Sequence, residues 1–234
     1  MPNKNVAVII PAYNESTVII GVIEGITEEL DGLTFKIIVI DDGSRDQTAA
    51  LAKSAGATVV SHILNSGSGA ATSTGLRYAA MNDFDYAATI DADGQHRPED
   101  LRAIIIRLQE SDHPDLVVGS RLIDSTGMST VKSCGNKGLS FVTKTLFGIG
   151  VTDSQSGLRG FSKKTLHSIN LRSQGYEFCS EMLWRAKQKK LTVTEIPIKA
   201  IYTDYSKGKG QSNWNAFNIV STLIRHRLLE VLNG

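Results

Sequence analysis

Tyr86-Ala87-Ala88-Thr89-Ile90-Asp91-Ala92-Asp93-Gly94-Gln95 drives an apolar run straight into two carboxylates one residue apart. Ala87, Ala88 and Ile90 suit a strand with no polar face to offer water, so the run belongs inside a sheet covered on both sides. The carboxylates then sit at the strand's carboxyl end, the edge where ligands bind in open α/β sheets. Hard cations such as Mg2+ or Mn2+ prefer carboxylate and amide oxygens and bridge substrate phosphates; Asp91, Asp93 and Gln95 supply that oxygen set. Taken alone, Asp91-Ala92-Asp93-Gly94 reads more simply as an Asp-Gly turn capping the next helix. Its neighbours along the chain change that reading.

Upstream, Val6-Ala7-Val8-Ile9-Ile10 is an apolar strand stopped by Pro11, and Asn14-Glu15-Ser16 is placed to cap a helix carrying Val18, Ile19, Val22, Ile23 and Ile26. Residues 36–41 repeat the unit, turning through Asp41-Asp42-Gly43-Ser44 into a helix over 46–54, and a third strand follows at 58–62. Asn65-Ser66-Gly67-Ser68-Gly69-Ala70-Ala71 opens a small-residue helix through Ala80, whose small side chains permit close backbone packing or approach to a ligand. Downstream the pattern is less regular: a helix over 98–110, a strand at 115–119 running into Ser120-Arg121, a long amphipathic stretch at 129–147, a strand at 158–161, a helix over 176–190 and a strand at 192–202. A basic loop, 203–212, and an amphipathic helix, 213–232, close the chain. Alternating strands and helices imply right-handed crossovers and an α/β fold with a mostly parallel sheet flanked by helices. No repeat or linker divides it, so one domain with two lobes is expected: a nucleotide-binding half at 1–119, an acceptor-binding part at 120–212 and a terminal helix at 213–234.

The 234 residues can bury a substantial core, and a formal net charge of +1 argues against a general nucleic-acid binder. Cys134 and Cys179 are far apart and in no metal-like spacing, which suits free thiols in a reducing compartment. The amino-terminal residues lack a signal-peptide core, and no apolar run approaches the ~18 residues of a membrane span. A cytoplasmic protein, free or lying on the inner face of a membrane, is the expectation.

Several common chemistries have no vehicle here. Gly67-Ser68-Gly69 is followed by glycine only at Gly75, which breaks the dinucleotide fingerprint; there is no Walker-type lysine and no Gly-x-Ser-x-Gly elbow. What remains is four polar clusters, each directly after an apolar strand: residues 13–15, Asp41-Asp42, 91–95 and Ser120-Arg121. Each alone is explained by a cap, a turn or a surface ion pair. Parallel strands open to one edge, so together they bring acids for a base, a ribose and a metal to the same crevice as an arginine for a phosphate.

Val8-Ile9-Ile10-Pro11-Ala12-Tyr13-Asn14-Glu15, Ile40-Asp41-Asp42-Gly43-Ser44 and Asp91-Ala92-Asp93-Gly94-Gln95 resemble the family-2 glycosyltransferases of GT-A fold. Gly119-Ser120-Arg121, Asp153-Ser154-Gln155-Ser156-Gly157 and Gly175-Tyr176-Glu177-Phe178 narrow the resemblance to the branch of dolichyl-phosphate mannose synthases and bacterial polyprenyl-phosphate glycosyltransferases. The resemblance implies a metal-dependent, inverting transfer from a nucleotide-sugar donor to a polyprenyl phosphate (dolichyl or undecaprenyl) acceptor. It implies a nucleotide-sugar pocket of Pro11, Tyr13, Glu15, Asp42, Asp91, Ala92 and Asp93, with Asp42 accepting from a base N–H. Asp91, Asp93 and Gln95 match the metal set for Mg2+ or Mn2+, and Asp93 and Arg121 the catalytic pair. Arg121 matches the arginine on the acceptor phosphate, with Lys132, Lys207 and Lys209 as further cations there.

An acceptor phosphate has a second pKa near ~6, arrives largely ionised and needs no strong general base. A sugar-hydroxyl acceptor on a lipid-linked or cell-surface glycan is the alternative; it needs a base, for which Asp153 and Glu181 are the candidates. A nucleotidyltransferase or nucleotide-binding module on the same sheet is the other alternative class. Many relatives carry membrane spans after the catalytic domain, whereas this sequence ends at Gly234. The stripe Val220, Leu223, Ile224, Leu228 and Val231, beside Lys207, Lys209, Arg225 and Arg227, has four destinations: the sheet, a second copy in a homodimer, a membrane surface, or a small membrane protein.

Overall fold

Along Val6–Ala12, strand β1, side chains of alternating parity leave the backbone in opposite directions: Val6, Val8 and Ile10 enter one apolar cluster, Ala7 and Ile9 another. Two-sided burial is what the uninterrupted apolar runs require, and it places a helical layer on each face of the sheet. The computed structural model describes residues 4–123, 130–148, 150–199 and 201, and within 130–147 the side chains of 134–145. β1 is joined by β2 (Phe35–Asp41), β3 (Thr58–Ser61), β4 (Tyr86–Thr89), β5 (Leu116–Ser120), β6 (Arg159–Ser162) and β7 (Val193–Pro197), in the order β3-β2-β1-β4-β6-β5-β7. Helices α1 (Ile19–Glu29), α2 (Thr48–Ser54) and α4 (Pro98–Leu108) bury apolar side chains against one face. Helices α3 (Ser68–Met81), α6 (Lys163–Ser168) and α7 (Phe178–Gln188) do so against the other, and α5 (Thr130–Phe147) lies between β5 and β6 in sequence.

Every pairing is parallel except those of β6, which runs against both β4 and β5. Six carboxyl ends and the amino end of β6 therefore share one edge. The chain also reverses its direction of travel across the sheet between β1 and β4, and such a switch point opens a crevice.

Pro11 lies inside β1 instead of ending it. Val6 and Asp42 show that even-numbered residues of β1 bond toward β2, so the imide nitrogen of Pro11 faces β4, whose ladder with β1 stops at Thr89. A missing donor costs nothing there. The expected cap at Asn14-Glu15-Ser16 is likewise not made: α1 begins at Ile19 with no side-chain cap, and these residues bond the 44–48 loop. The terminal helix over 213–232 lies outside the described residues.

Gly75 shows how closely α3 is seated: a Cβ there would overlap Ile9 Cγ2 and press on Ile40 at 3.3 Å. Helix propensity alone favours Gly75→Ala by about 1 kcal/mol. Overpacking reverses the sign, and the variant should lose about 1–3 kcal/mol in denaturant unfolding. A stabilised Gly75→Ala would mean that α3 sits farther from β1.

Candidate active site

The carboxyl end of β2 delivers Asp42, which is 3% exposed. Its Oδ1 accepts from Ser66 N at 3.0 Å and lies 2.7 Å from His62 Nδ1; its Oδ2 accepts from Gly67 N at 2.8 Å. The second ring nitrogen of His62 is 2.9 Å from Thr74 Oγ1 on α3. Asp42 is thus clamped by the loop after β3, with about one lone-pair position left for a base N–H. The turn after β1 is sewn to the turn after β2: Asn14 N donates to Ser44 Oγ, Glu15 N to Thr48 Oγ1, Ser16 N to Asp46 and Arg45 N to Asn14 Oδ1. Partial burial pushes Asp46 upward, yet hydrogen bonds from Thr48 and Ser16 hold it down at about 2. Tyr13 remains 39% exposed at the mouth of this pocket.

Of the two possibilities for the glycines at 67 and 69, the structure takes close backbone packing. A Cβ on Gly69 would overlap Ser173 O, and the Gly69 and Ala70 amides donate to Gln174 O at 2.8 and 3.3 Å. The first amides of α3 are consumed by the 173–175 backbone, and Tyr176 follows directly at the crevice, 44% exposed.

At the end of β4, Asp91 Oδ2 is 3.2 Å from His96 Nε2; the Asp91 side chain is half exposed and that of His96 buried. Asp93 accepts from Gln95 N at 3.0 Å and from the Gln95 side-chain amide. The surrounding protein pushes Asp91 upward, but the His96 hydrogen bond and the positive charges of His96, Arg121 and Arg159 outweigh it and leave it below the usual range. Burial, and then the negative charge of Asp91, push Asp93 upward. Burial also raises Tyr176, followed by the charges of Asp91, Asp93 and Glu15, which places its phenol in the same field. Two adjacent carboxylates that repel one another suit a divalent cation, and the hard-oxygen donors fit Mg2+ or Mn2+. Among the described residues no three His, Cys, Asp or Glu side chains converge on one point, so Gln95 and substrate phosphate oxygens would complete the shell. Ala92 is buried behind the pair.

Across the crevice, Arg121 follows β5 and faces Asp153. Its Nε and Nη2 donate to the two Asp153 oxygens at 2.7 and 3.0 Å, and its backbone N to Oδ2 at 3.2 Å. Asp153 is fully buried; burial pushes it up, but Arg121 and the Gln155 amide hold it below the usual carboxylate range. Glu195 on β7 supports this arrangement by accepting from Thr152 N, Thr152 Oγ1 and Asp153 N. The other base candidate, Glu181, is 2% exposed and accepts from Arg172 N, Ser173 N and the Arg185 guanidinium. Neither acid is placed to take a proton from an acceptor. The Arg121 fork, expected on a phosphate, grips a protein carboxylate with two of its nitrogens.

The crevice therefore brings together Glu15, Asp42, Asp91, Asp93, Gln95 and Arg121, with Ile201 N donating to Gln95 O at 2.8 Å to tie the segment after β7 to the same turn. The Lys132 side chain, Lys207 and Lys209 lie outside the described residues. Sequence reasoning missed His96, although it directly follows Gln95; it used Tyr176 and residues 154–157 only as marks of resemblance, and Asp153 also as a candidate base.

A switch-point crevice lined by a clamped acid, an acidic pair and an arginine suits a nucleotide-using transferase of the α/β class. The sequence model described as Glycosyl transferase family 2 matches residues 7–169, and the chain belongs to that family of glycosyltransferases. It is 40% identical to the UDP-N-acetylglucosamine--dolichyl-phosphate N-acetylglucosaminyltransferase of Methanococcus voltae, over 100% of both chains. It is 29% identical to the polyprenol monophosphomannose synthase of Mycolicibacterium smegmatis, over 84% of this chain and 77% of that one. Among solved structures it resembles glucosyl-3-phosphoglycerate synthase from Mycobacterium tuberculosis in complex with Mn2+, UDP-glucose and phosphoglyceric acid. The TM-score is 0.75 at 22% identity, over 96% of this chain and 80% of that one. The fold is thus that of the GT-A glycosyltransferases.

Asp153→Asn should destabilise the protein by about 3 kcal/mol near neutral pH, because Arg121 would lose its carboxylate while remaining partly buried. The native pKa of Asp153 lies below its unfolded value, so its stabilisation is complete above about pH 4 and fades as pH falls through the native value. The gap between wild type and variant in urea titrations should therefore close in acid. A gap that persists at the lowest accessible pH would deny the pairing.

Proposed function

We infer that this glycosyltransferase moves a sugar from a nucleotide-sugar to a polyprenyl phosphate, inverting the anomeric carbon. The observation that carries the choice of acceptor is the state of Asp153 and Glu181: both are spent on arginines and backbone amides, which suits a nucleophile that arrives already ionised. A hydroxyl acceptor would need one of them free. The names of the Methanococcus voltae and Mycolicibacterium smegmatis relatives, a dolichyl-phosphate transferase and a polyprenol monophosphomannose synthase, support the same acceptor class. The donor to test first is UDP-N-acetylglucosamine, which the former name prints.

In this reading residues 1–119 bind the donor, with Asp42 accepting from the base N–H and Pro11, Tyr13 and Glu15 forming the nucleoside wall. Asp91, Asp93 and Gln95 would hold Mg2+ or Mn2+, which, when bound, neutralises the charge of the departing diphosphate. Arg121, pre-aligned by Asp153, presents its guanidinium toward the crevice and holds the acceptor phosphate in line with the anomeric carbon. Residues 120–212 form the acceptor part, in which Lys132, Lys207 and Lys209 add positive charge. A groove of about 270 Å3 beside Arg121, lined by Leu122, Phe141, Val151, Lys137 and Lys144, suits the first isoprene units of the acceptor. Among the described residues no helix is long and apolar enough to cross a membrane. Phe141, 70% exposed between Lys137 and Lys144 on α5, supports a peripheral position on the inner membrane face.

Incubation with radiolabelled UDP-N-acetylglucosamine, polyprenyl phosphate and Mn2+ should yield an acid-labile lipid-linked sugar and UDP. A product stable to mild acid would assign a hydroxyl acceptor, and release of N-acetylglucosamine 1-phosphate in place of UDP would assign nucleotidyl transfer. Asp93→Ala should abolish turnover with the fold intact, and chelation should do the same to the wild type. Arg121→Lys keeps the charge opposite Asp153 but loses the fork; the acceptor KM should rise by about tenfold, one charge-assisted hydrogen bond, with UDP affinity unchanged. A weakened UDP affinity at unchanged acceptor KM would move Arg121 to the donor.

A further inference from the structure

β6 runs against its neighbours, so the turn leading into it, 153–157, reaches the crevice beside the β4 turn. Gly157 is the point where the two turns touch. A Cβ built on Gly157 would stand 2.5 Å from both carboxylate oxygens of Asp91 and 2.8 Å from its Cγ. The glycine is not there for its conformation, since its φ is outside the left-handed region. It is there for space: the Asp91 carboxylate rests on its bare Cα.

The seat is rigid. Thr89 Oγ1, on the strand that carries Asp91, donates to Gly157 O at 2.7 Å. Two residues on, the fully buried Arg159 donates from Nε to Ser156 O at 2.8 Å, from Nη2 to Ser154 O at 2.7 Å and from Nη1 to Cys179 O at 2.9 Å. Ser154 N donates to Ser140 Oγ of α5 at 2.9 Å. Asp91 Oδ2 also meets the buried ring of His96 at 3.2 Å. The carboxylate lies against both neighbours, and each is held in place by the surrounding fold.

We propose that Gly157 is a positioning residue for the metal-bearing carboxylate: its missing side chain sets where the Asp91 oxygens stand, and so whether Asp91 and Asp93 can bind one divalent cation together. This rests on the metal set assigned above. With an alanine at 157, each Asp91 oxygen must withdraw from 2.5 Å to beyond 3.0 Å, below which real Cβ contacts essentially never fall. Metal–oxygen distances in working sites hold to about 0.2 Å, so a shift of that size removes a ligand. Gly157 touches no substrate in this arrangement.

The test is Mn2+ binding in the presence of UDP, read from the electron paramagnetic resonance signal of free Mn2+ on the full chain. For Gly157→Ala the apparent Mn2+ affinity should fall about 10–100-fold, the range for losing support of a metal ligand. UDP binding in EDTA and the metal-free melting temperature should stay at wild-type values. Gly138→Ala, where a Cβ meets nothing within 4 Å, should leave Mn2+ affinity and UDP binding at wild-type values. Wild-type Mn2+ affinity in Gly157→Ala would overturn the proposal. Should Gly157→Ala melt early, Thr89→Val decides: it leaves the seat bare but unpins it, and an Mn2+ affinity equal to wild type would overturn the proposal while a reduced one upholds it. A wild-type protein that binds no Mn2+ with UDP would overturn the metal set itself, and this proposal with it.

Discussion

A guanidinium sealed away from water holds the reactive edge of this protein together. Arg159 has no exposed surface and, among the described residues, no carboxylate in hydrogen-bond contact; its donors go to the carbonyls of Ser154, Ser156 and Cys179, with Met182 Sδ at 3.3 Å. Burying such a charge costs several kcal/mol unless its donors are met, and here carbonyl dipoles meet them. The consequence is geometric. A turn of five residues between α5 and β6, with no regular structure of its own, becomes as fixed as the sheet, and from it hang both the Asp153 grip on Arg121 and the Gly157 seat under Asp91. The charge acts at a distance too, since Arg159 helps to keep Asp91 ionised.

Around that cation the acids divide by how many donors surround them. Asp153 and Glu181 are sealed and saturated, and serve as anchors for Arg121, Arg185 and the 172–173 backbone. Asp91 and Asp93 keep open oxygens at the crevice, where one is stabilised as an anion and the other is not. Cys179, which lies among the same groups, is driven up to about 11 by burial and stays a thiol, so it offers no nucleophile for covalent chemistry. The division suits the proposed chemistry: charge neutralisation of a leaving group opposite an already anionic attacker.

Much of this was legible in the chain, for identifiable reasons. Apolar runs such as Val6-Ala7-Val8-Ile9-Ile10 have period two and burial on both faces, so strands and their parallel order follow from local pattern. The clusters at 13–15, 41–42, 91–95 and 120–121 follow from those strands, because a parallel sheet has one carboxyl edge. What escaped the sequence depends on non-local contact. Nothing near Leu158-Arg159-Gly160-Phe161 reveals that β6 reverses direction, and that reversal alone brings Gly157 under Asp91. The Asp153 partner of Arg121 is 32 positions away and the Asp42 partner His62 is 20 away, each set by sheet geometry. Asn14-Glu15-Ser16 looked like a helix cap because its composition is that of one; tertiary bonds to Ser44, Thr48 and Asp46 took those groups instead.

The same sheet-edge logic suits a cation in the proposed donor site. Sheets of this kind commonly meet a ligand's phosphates with the free amides at a helix amino terminus. Here that resource is spent: the Gly69 and Ala70 amides at the start of α3 are taken by Gln174 O, and the Gly67 amide is taken by Asp42. Packing the 173–175 backbone onto two glycines closes α3 against phosphate and brings Tyr176 to the crevice in its place. A diphosphate entering beside Asp91 and Asp93 would then face two carboxylates, a repulsion of several kcal/mol at the short range and reduced dielectric of a crevice. Only positive charge carried in with the ligand, or held by those carboxylates, reverses the sign. The acidic pair and the closed helix end are therefore two halves of one arrangement, in which a divalent ion would take the part that a glycine-rich phosphate loop plays elsewhere.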